Sequence, residues 1–147
     1  MVRYSLRPDG SLPFAAQLAL CRALAIPHLE LGECLDGVPL ADLSPGELTD
    51  ARDALIDAGV RLVCADISLE SAAGDRSRAL LRAAHTLGVE SLRLCPRSGL
   101  PPESVITAAA ELARLADSYG IRCLAENTPQ GFLSTDDDMQ RLQTALK

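Results

Sequence analysis

The chain has 147 residues, 48% of them hydrophobic and 23% charged, with a formal net charge of −6. That is enough for one domain around one buried core, and too apolar for wholesale disorder. The negative charge, with aromatics at 3% and no Trp, argues against nucleic-acid backbones and anionic membrane surfaces as partners.

The N-terminal residues Met1 to Gly10 contain no apolar signal-peptide core, and the uncharged stretch from Gly10 to Cys21 holds Pro13. It is shorter than the roughly 18 apolar residues a membrane span needs. A cytoplasmic protein is expected. Val2–Leu6 reads as a first strand. A first helix follows from about Leu12 to Ala25, with Ser11 as N-cap and Pro13 in its opening turn. His28–Leu31 reads as the second strand. Ser44-Pro45-Gly46-Glu47 then opens the second helix: Ser44 caps, Pro45 suits the first helical position and Glu47 completes a capping box. Leu48, Ala51, Leu55 and Ala58 share one face of it. Arg61–Ile67 is the third strand, and a third helix runs from about Asp75 to Leu87. Ser91–Cys95 is the fourth strand. The fourth helix opens after Pro101-Pro102 and runs to about Ser118. Arg122–Glu126 is the fifth strand. The last helix opens at Ser134-Thr135 and sets Asp136, Asp137 and Asp138 against its positive end.

One unit recurs along this order. A helix ends in Gly plus a β-branched residue, and a short apolar strand follows, at Ala58-Gly59-Val60, Leu87-Gly88-Val89 and Tyr119-Gly120-Ile121. A weaker copy, Leu24-Ala25-Ile26, has Ala in the Gly position. Gly just past a helix takes the left-handed conformation that closes it. The period, roughly 30 residues, is that of one βα unit. Short strands alternating with helices imply parallel pairing through right-handed crossovers. The expected fold is α/β, a single domain over residues 1–147. It is a partial TIM-type (β/α) barrel of five parallel strands in order 1-2-3-4-5 with helices outside. A closed barrel typically takes about 250 residues, so this one is incomplete. The competing architecture is an open doubly wound sheet, which would reorder the strands.

Five cysteines, Cys21, Cys34, Cys64, Cys95 and Cys123, form no C-x-x-C pair. They read as buried small hydrophobes in a reducing compartment rather than as disulfides or a zinc site. Cys95 is the best placed for a nucleophile but has no His nearby in sequence. His28 and His85 read as surface or packing residues. No G-x-G-x-x-G or phosphate-binding Gly-rich loop occurs, so no nucleotide site is indicated.

Two longer stretches carry a family resemblance. Ala83-Ala84-His85-Thr86-Leu87-Gly88-Val89-Glu90-Ser91-Leu92-Arg93-Leu94 is the first. The second is Leu112-Ala113-Arg114-Leu115-Ala116-Asp117-Ser118-Tyr119-Gly120-Ile121, running into Leu124-Ala125-Glu126-Asn127. With the strand Leu29-Glu30-Leu31 and the helix end at Gly59, their order and spacing resemble the xylose isomerase-like barrel superfamily, the sugar phosphate isomerases and epimerases. The resemblance covers the first five βα units of that barrel. It implies a divalent ion, Mn²⁺, Mg²⁺ or Co²⁺, at the C-terminal mouth of the strands, with Glu126 matching the first ligand. The family's further Asp, His and Glu ligands follow later strands and have no counterpart here. Endonuclease-like members also use His after the third and fourth strands. Those places read Asp66-Ile67-Ser68 and Cys95-Pro96-Arg97, which weakens a DNA-repair reading.

Carboxylates at strand ends suit a barrel active site. Glu30 alternates away from Leu29 and Leu31, so it should face the interior. The resemblance places it near the substrate as a catalytic carboxylate, the alternative being an interior ion pair. Asp66, Arg93 and Asn127 are candidate substrate contacts. For Asp66 the alternative is a loop cap, and for Arg93 and Arg97 it is pairing with Glu90 or Glu103. A hard divalent ion wants several oxygen ligands, and Glu126 alone would hold one weakly. The expected function is therefore the N-terminal part of a metal-dependent sugar or sugar phosphate isomerase or epimerase, catalytically incomplete alone. The alternative is a non-catalytic relic or interaction module. Such a module would pair its open sheet edges with another chain or a second copy.

Overall fold

A computed structural model describes residues 4–68, 74–95, 102–126 and 135–145. Helices α1 (Phe14–Ala23), α2 (Pro45–Ala58), α3 (Asp75–Thr86), α4 (Pro102–Asp117) and α5 (Asp136–Ala145) alternate with the strands of one parallel sheet. Those strands are β1 (His28–Leu31), β4 (Arg61–Ile67), β5 (Ser91–Leu94) and β6 (Arg122–Ala125), hydrogen-bonded in the order β1-β4-β5-β6. Between β1 and α2 lie two short antiparallel strands, β2 (Cys34–Leu35) and β3 (Val38–Pro39), and a 3₁₀ turn at Leu40–Asp42.

The sequential strand order is that of a partial barrel, and the doubly wound alternative falls. One expected element is reduced. Of the first strand, residues 1–3 lie outside the described residues, and Leu6 contributes a single parallel bridge to Leu29. Its N–H donates to the His28 carbonyl and its carbonyl accepts from Glu30 N–H, both at 2.8 Å. Leu6 therefore keeps the expected place beside the second expected strand.

Leu29, Leu31, Ala65, Ile67, Leu92 and Leu94 are buried with the helix residues Leu80, Leu81, Ala84 and Leu112 in one core. β1 and β5, and β4 beyond Val63, send their apolar residues toward the helices and leave the alternate positions to the opposite, lumenal face, whereas β6 puts the exposed Leu124 in register with Arg93 on that face.

The helix termini follow the sequence at most points. Ser44 and Glu47 form the reciprocal capping box. Gly59, Gly88 and Gly120 all have φ near +70°, and an added Cβ would meet nothing within 4 Å at any of them. Backbone conformation, not crowding, selects Gly there. Ala25 sits in the same left-handed region at φ 54°.

The start of α1 departs from expectation. Ser11 does not cap it; the N-cap position is Pro13, which has no capping side chain. The Phe14 N–H instead donates to Asp36 Oδ1 at 2.6 Å, and Ser11 N–H is taken by Asp9 Oδ1. The cap thus comes from the β2–β3 turn, 22 residues away. In that turn Asp36 (φ 50°) and Gly37 (φ 83°) link Leu35 to Val38. Asp-Gly at two positive-φ positions is a strong short-range hairpin signal.

Ala25 carries a side chain where three homologous positions carry none. Ala25→Gly should raise stability by about 0.5–1 kcal/mol, since the left-handed penalty exceeds the unfolded-state entropy that Gly adds. Gly59→Ala should move it the other way. Urea unfolding midpoints check both, and a lower midpoint for Ala25→Gly would contradict the strain.

Candidate functional site

The lumenal face of the sheet carries charge. Arg93 in β5 is its centre. One Arg93 Nη2 hydrogen donates to Glu30 Oε2 in β1, and Arg93 Nε lies 3.1 Å from Asp66 Oδ1 in β4. Arg93 Nη2 also lies 3.6 Å from Cys64 Sγ. Arg7 Nη2 donates to the other Asp66 oxygen, Oδ2, and Ser5 Oγ donates to Glu30 Oε1 at 2.6 Å. A chain of alternating charge thus runs Glu30, Arg93, Asp66, Arg7, with the neutral Ser5 hydroxyl donating to its Glu30 end.

The backbone explains how these residues meet. The β1–β4 register shifts between Leu29 and Glu30, so that Leu29 faces Leu62 while Glu30 faces Cys64 and Val63 has no partner. A one-residue slip exchanges the faces from which side chains project. Past the bulge, Cys64 and Asp66 share the face of Glu30. Asp66 is in register with Arg93, and Arg93 with Leu124 of β6, so Glu126, two residues on, ends the same lumenal row.

Burial sets the electrostatics. The Glu30, Asp66 and Arg93 side chains are 20%, 12% and 18% exposed, whereas Arg7 is 52% exposed. Burial pushes the Asp66 carboxyl above its ordinary value; Arg93 and Arg7 pull it back, and Glu126 and Glu30 push it further. Its Oδ1 is buried, and although Arg93 Nε is close, no donor is aligned on it. Arg93 itself pays for burial, but Asp66, Cys64 and Glu30 together hold its pKa above the usual guanidinium value. Ser68, buried just beyond β4, donates to Glu33 Oε1 at 2.6 Å.

Glu126 is half-buried just past β6, and Cys95 Sγ lies 3.6 Å from its Oε2. Burial, then the nearby Asp66 and Glu126 carboxylates, push the Cys95 thiol up to about 11. At neutral pH Cys95 is a thiol, so the nucleophile reading lacks its thiolate. Burial alone lifts Cys123 to about 11.

Of the candidates from sequence, the fold gathers Glu30, Asp66, Arg93 and Glu126 on one face, and Asn127 and Arg97 lie outside the described residues. Arg93 pairs with Glu30 and Asp66, while Glu90 lies 3.8 Å from Arg122. His28 stands against the Tyr4 carbonyl and Arg61, and His85 packs edge-on to Tyr119. Sequence reasoning missed Arg7, Ser5 and Cys64. The period-2 pattern Ser5-Leu6-Arg7, with Leu6 toward the core, is the signal that could have found the first two.

Among the described residues no three His, Cys, Asp or Glu side chains are arranged to hold a metal ion. Glu126 offers one oxygen donor group, and Asp66 and Glu30 are committed to arginines. These residues do not by themselves fit a divalent ion.

No protein-family model and no curated protein matches the sequence. Solved structures do match the fold. One is a xylose isomerase domain containing protein from Salmonella typhimurium LT2, with TM-score 0.72 and 23% identity over 97% of this chain and 57% of that one. Another is a xylose isomerase-like TIM barrel protein from Mycobacterium smegmatis in complex with magnesium, with TM-score 0.66 and 20% identity over 93% of this chain and 55% of that one. A third is a sugar phosphate isomerase/epimerase from Parabacteroides distasonis ATCC 8503, with TM-score 0.59 and 12% identity over 99% of this chain and 62% of that one. The fold is thus that of part of a TIM barrel, as in these structures, and the chain spans somewhat over half the length of each of them. Among the described residues no helix is long and apolar enough to cross a membrane.

Two measurements test the electrostatics. Because folding raises the Asp66 pKa above 3.8, the native state keeps this proton where the unfolded chain has lost it. This contribution to stability is present at low pH and is lost as pH rises through the folded value. The stability of wild type relative to Asp66→Asn should therefore fall as pH rises above about 4. A difference that grows with pH would mean the arginines outweigh burial. In iodoacetamide labelling at neutral pH, Cys34, the one exposed thiol, should react first, and Cys95 and Cys123 only slowly. Peptide mapping showing Cys95 labelled ahead of Cys34 would contradict its raised pKa.

Proposed function

We propose that this chain forms part of a sugar or sugar phosphate isomerase- or epimerase-like barrel that depends on a divalent metal. On this reading it is not catalytically complete through the described residues alone. The observation that supports this most is the row of Glu30, Arg93, Asp66 and Glu126 on the lumenal face of a sheet with this fold. Such enzymes move a proton or hydride next to a carbonyl, and a carboxylate takes and returns the proton. Glu126 is the proposed metal ligand. A bound ion would polarise the substrate carbonyl, and its remaining ligands would come from outside the described residues. Glu30 is the proposed catalytic carboxylate; in the resting site it is held by Arg93 and Ser5, which fix its position. Arg93, Asp66 and Asn127 are the proposed substrate contacts. Arg93, with five N–H donors, can serve sugar oxygens as well as its carboxylates.

A second reading is favoured by the outer edge of the sheet. Beside β6 lies a cavity of about 560 Å³ lined by Cys123, Leu124, Ala125, Met139 and Leu142 among others. Leu124 and Met139 are 44% and 37% exposed. On this reading the chain is a non-catalytic module that pairs this edge with another chain or a second copy.

Mn²⁺ titration followed by NMR line broadening separates the two. The first reading expects weak, saturable broadening centred on Glu126, lost in Glu126→Gln. Within a barrel completed by further strands, the same substitution should lower metal affinity and activity at least tenfold. Broadening that is absent or unchanged in Glu126→Gln, together with concentration-dependent association in sedimentation, supports the module instead.

A further inference from the structure

Away from the lumenal row, α1, α2 and the β2–β3 hairpin enclose a groove of about 330 Å³. It shares no residue with the charged cluster. Its floor is apolar, with Phe14 and Leu18 from α1 and Leu35 and Val38 from the hairpin. Three carboxylates, Asp36, Glu47 and Asp50, line it as well, and no basic residue does. All three are exposed. Asp36 and Glu47 each commit one oxygen to a backbone N–H, of Phe14 and Ser44 respectively. Neither has a cationic partner among the described residues, and Asp50 has no ion pair there either. Beyond the groove on α2, Asp53 pairs with Arg52, and Arg22 of α1 donates to the Asp57 carbonyl.

We propose that this groove binds a basic amphipathic segment of a partner protein, its apolar side chains on the floor and its Lys or Arg residues on the acidic rim. Charge complementarity selects this occupant. An apolar trough takes the apolar face of a short helix or extended segment, and a one-signed rim favours the opposite charge and rejects like charge. A second copy of this chain, at net −6, would meet repulsion. The proposal is independent of any catalytic role.

The rim can be neutralised without disturbing the fold. Asp36→Asn keeps a residue that tolerates positive φ and an Oδ1 acceptor for Phe14 N–H. Glu47→Gln keeps the capping box. Asp50→Asn removes a charge that has no partner. The probe is a fluorescein-labelled, amidated helical peptide with Leu along one face and Lys along the other, paired with a version carrying Glu for Lys. A third probe is a single-chain alkylammonium amphiphile below its micellar concentration.

The Lys peptide should bind saturably, shift the amide resonances of Phe14, Leu35 and Val38, and weaken as salt rises. The Glu peptide should bind at least tenfold more weakly. The triple variant Asp36→Asn, Glu47→Gln, Asp50→Asn should lose at least tenfold in affinity while circular dichroism shows the fold retained, with a modest fall in thermal midpoint from the two weakened helix N-termini. Ala54→Trp, which fills the groove, should also block the Lys peptide. Four outcomes would each overturn the proposal. They are absence of saturable binding, shifts confined to the lumenal carboxylates, full affinity in the triple variant, and equal or tighter binding of the alkylammonium probe at the same amides. The last would make the groove a small-molecule site.

Discussion

The lumenal half of this molecule depends on one guanidinium. Three strands bring Glu30, Asp66 and Arg93 to a face that is largely out of water. Without Arg93, two carboxylates would face each other across β4 and β1 in a medium that penalises each separately. The guanidinium reaches both at once, donating to Glu30 and lying 3.1 Å from Asp66, which the single nitrogen of an ammonium is less suited to do. The ion pair offsets a cost that the charges themselves create, so its net contribution to stability is small beside what removing one partner would cost. It ties β1, β4 and β5 together where their backbone ladder is interrupted by the bulge at Val63.

Arg7 extends this arrangement into the segment before α1. That segment holds to the sheet by a single backbone bridge at Leu6. Two side chains, Ser5 on Glu30 and Arg7 on Asp66, secure its lumenal side. Arg7 is half in water, so its pairing is screened and worth less than that of Arg93. The direction of the Asp66 shift agrees: with both cations in place, burial still keeps the carboxyl above its ordinary value. The two arginines therefore do not fully offset the burial of this carboxyl.

The features legible in the sequence are those set by neighbours a few residues apart. The Ser44 capping box, the helix ends at Gly59, Gly88 and Gly120, and even the irregular Ala25 all follow from local backbone chemistry. The lumenal orientation of Glu30 follows from alternation. What was illegible depends on distant partners. Ser11 looks like a cap, but Asp36, brought in by the hairpin, takes the Phe14 N–H instead. The Asp36-Gly37 turn itself was readable from its two residues, yet its strands are two residues each and fall below any periodic signal. The bulge at Val63 has no sequence mark, and it decides which face Asp66 occupies. The partners of Arg93 could not be chosen from sequence either, because Glu90 is nearer in the chain while Glu30 and Asp66 are nearer in space.

Charge accounting along the lumenal row explains why Glu126 stands apart. Arg93 and Arg7 balance Glu30 and Asp66, leaving those four groups neutral in sum. Glu126 has no cation against it among the described residues, only the weak thiol donor of Cys95. Burial first, and then the Asp66 and Glu126 carboxylates, keep that thiol protonated, so it can donate but cannot compete as an anion. A half-buried carboxylate with a weak neutral donor is stabilised less than one facing a positive group. It also repels Asp66 across the strand ends, adding a lesser push to a carboxyl raised chiefly by its burial. Any cation placed beside Glu126, whether a side chain or an ion, would relieve both groups together. The unbalanced charge of the row therefore lies at the C-terminal end of the strands, where a barrel of this fold opens.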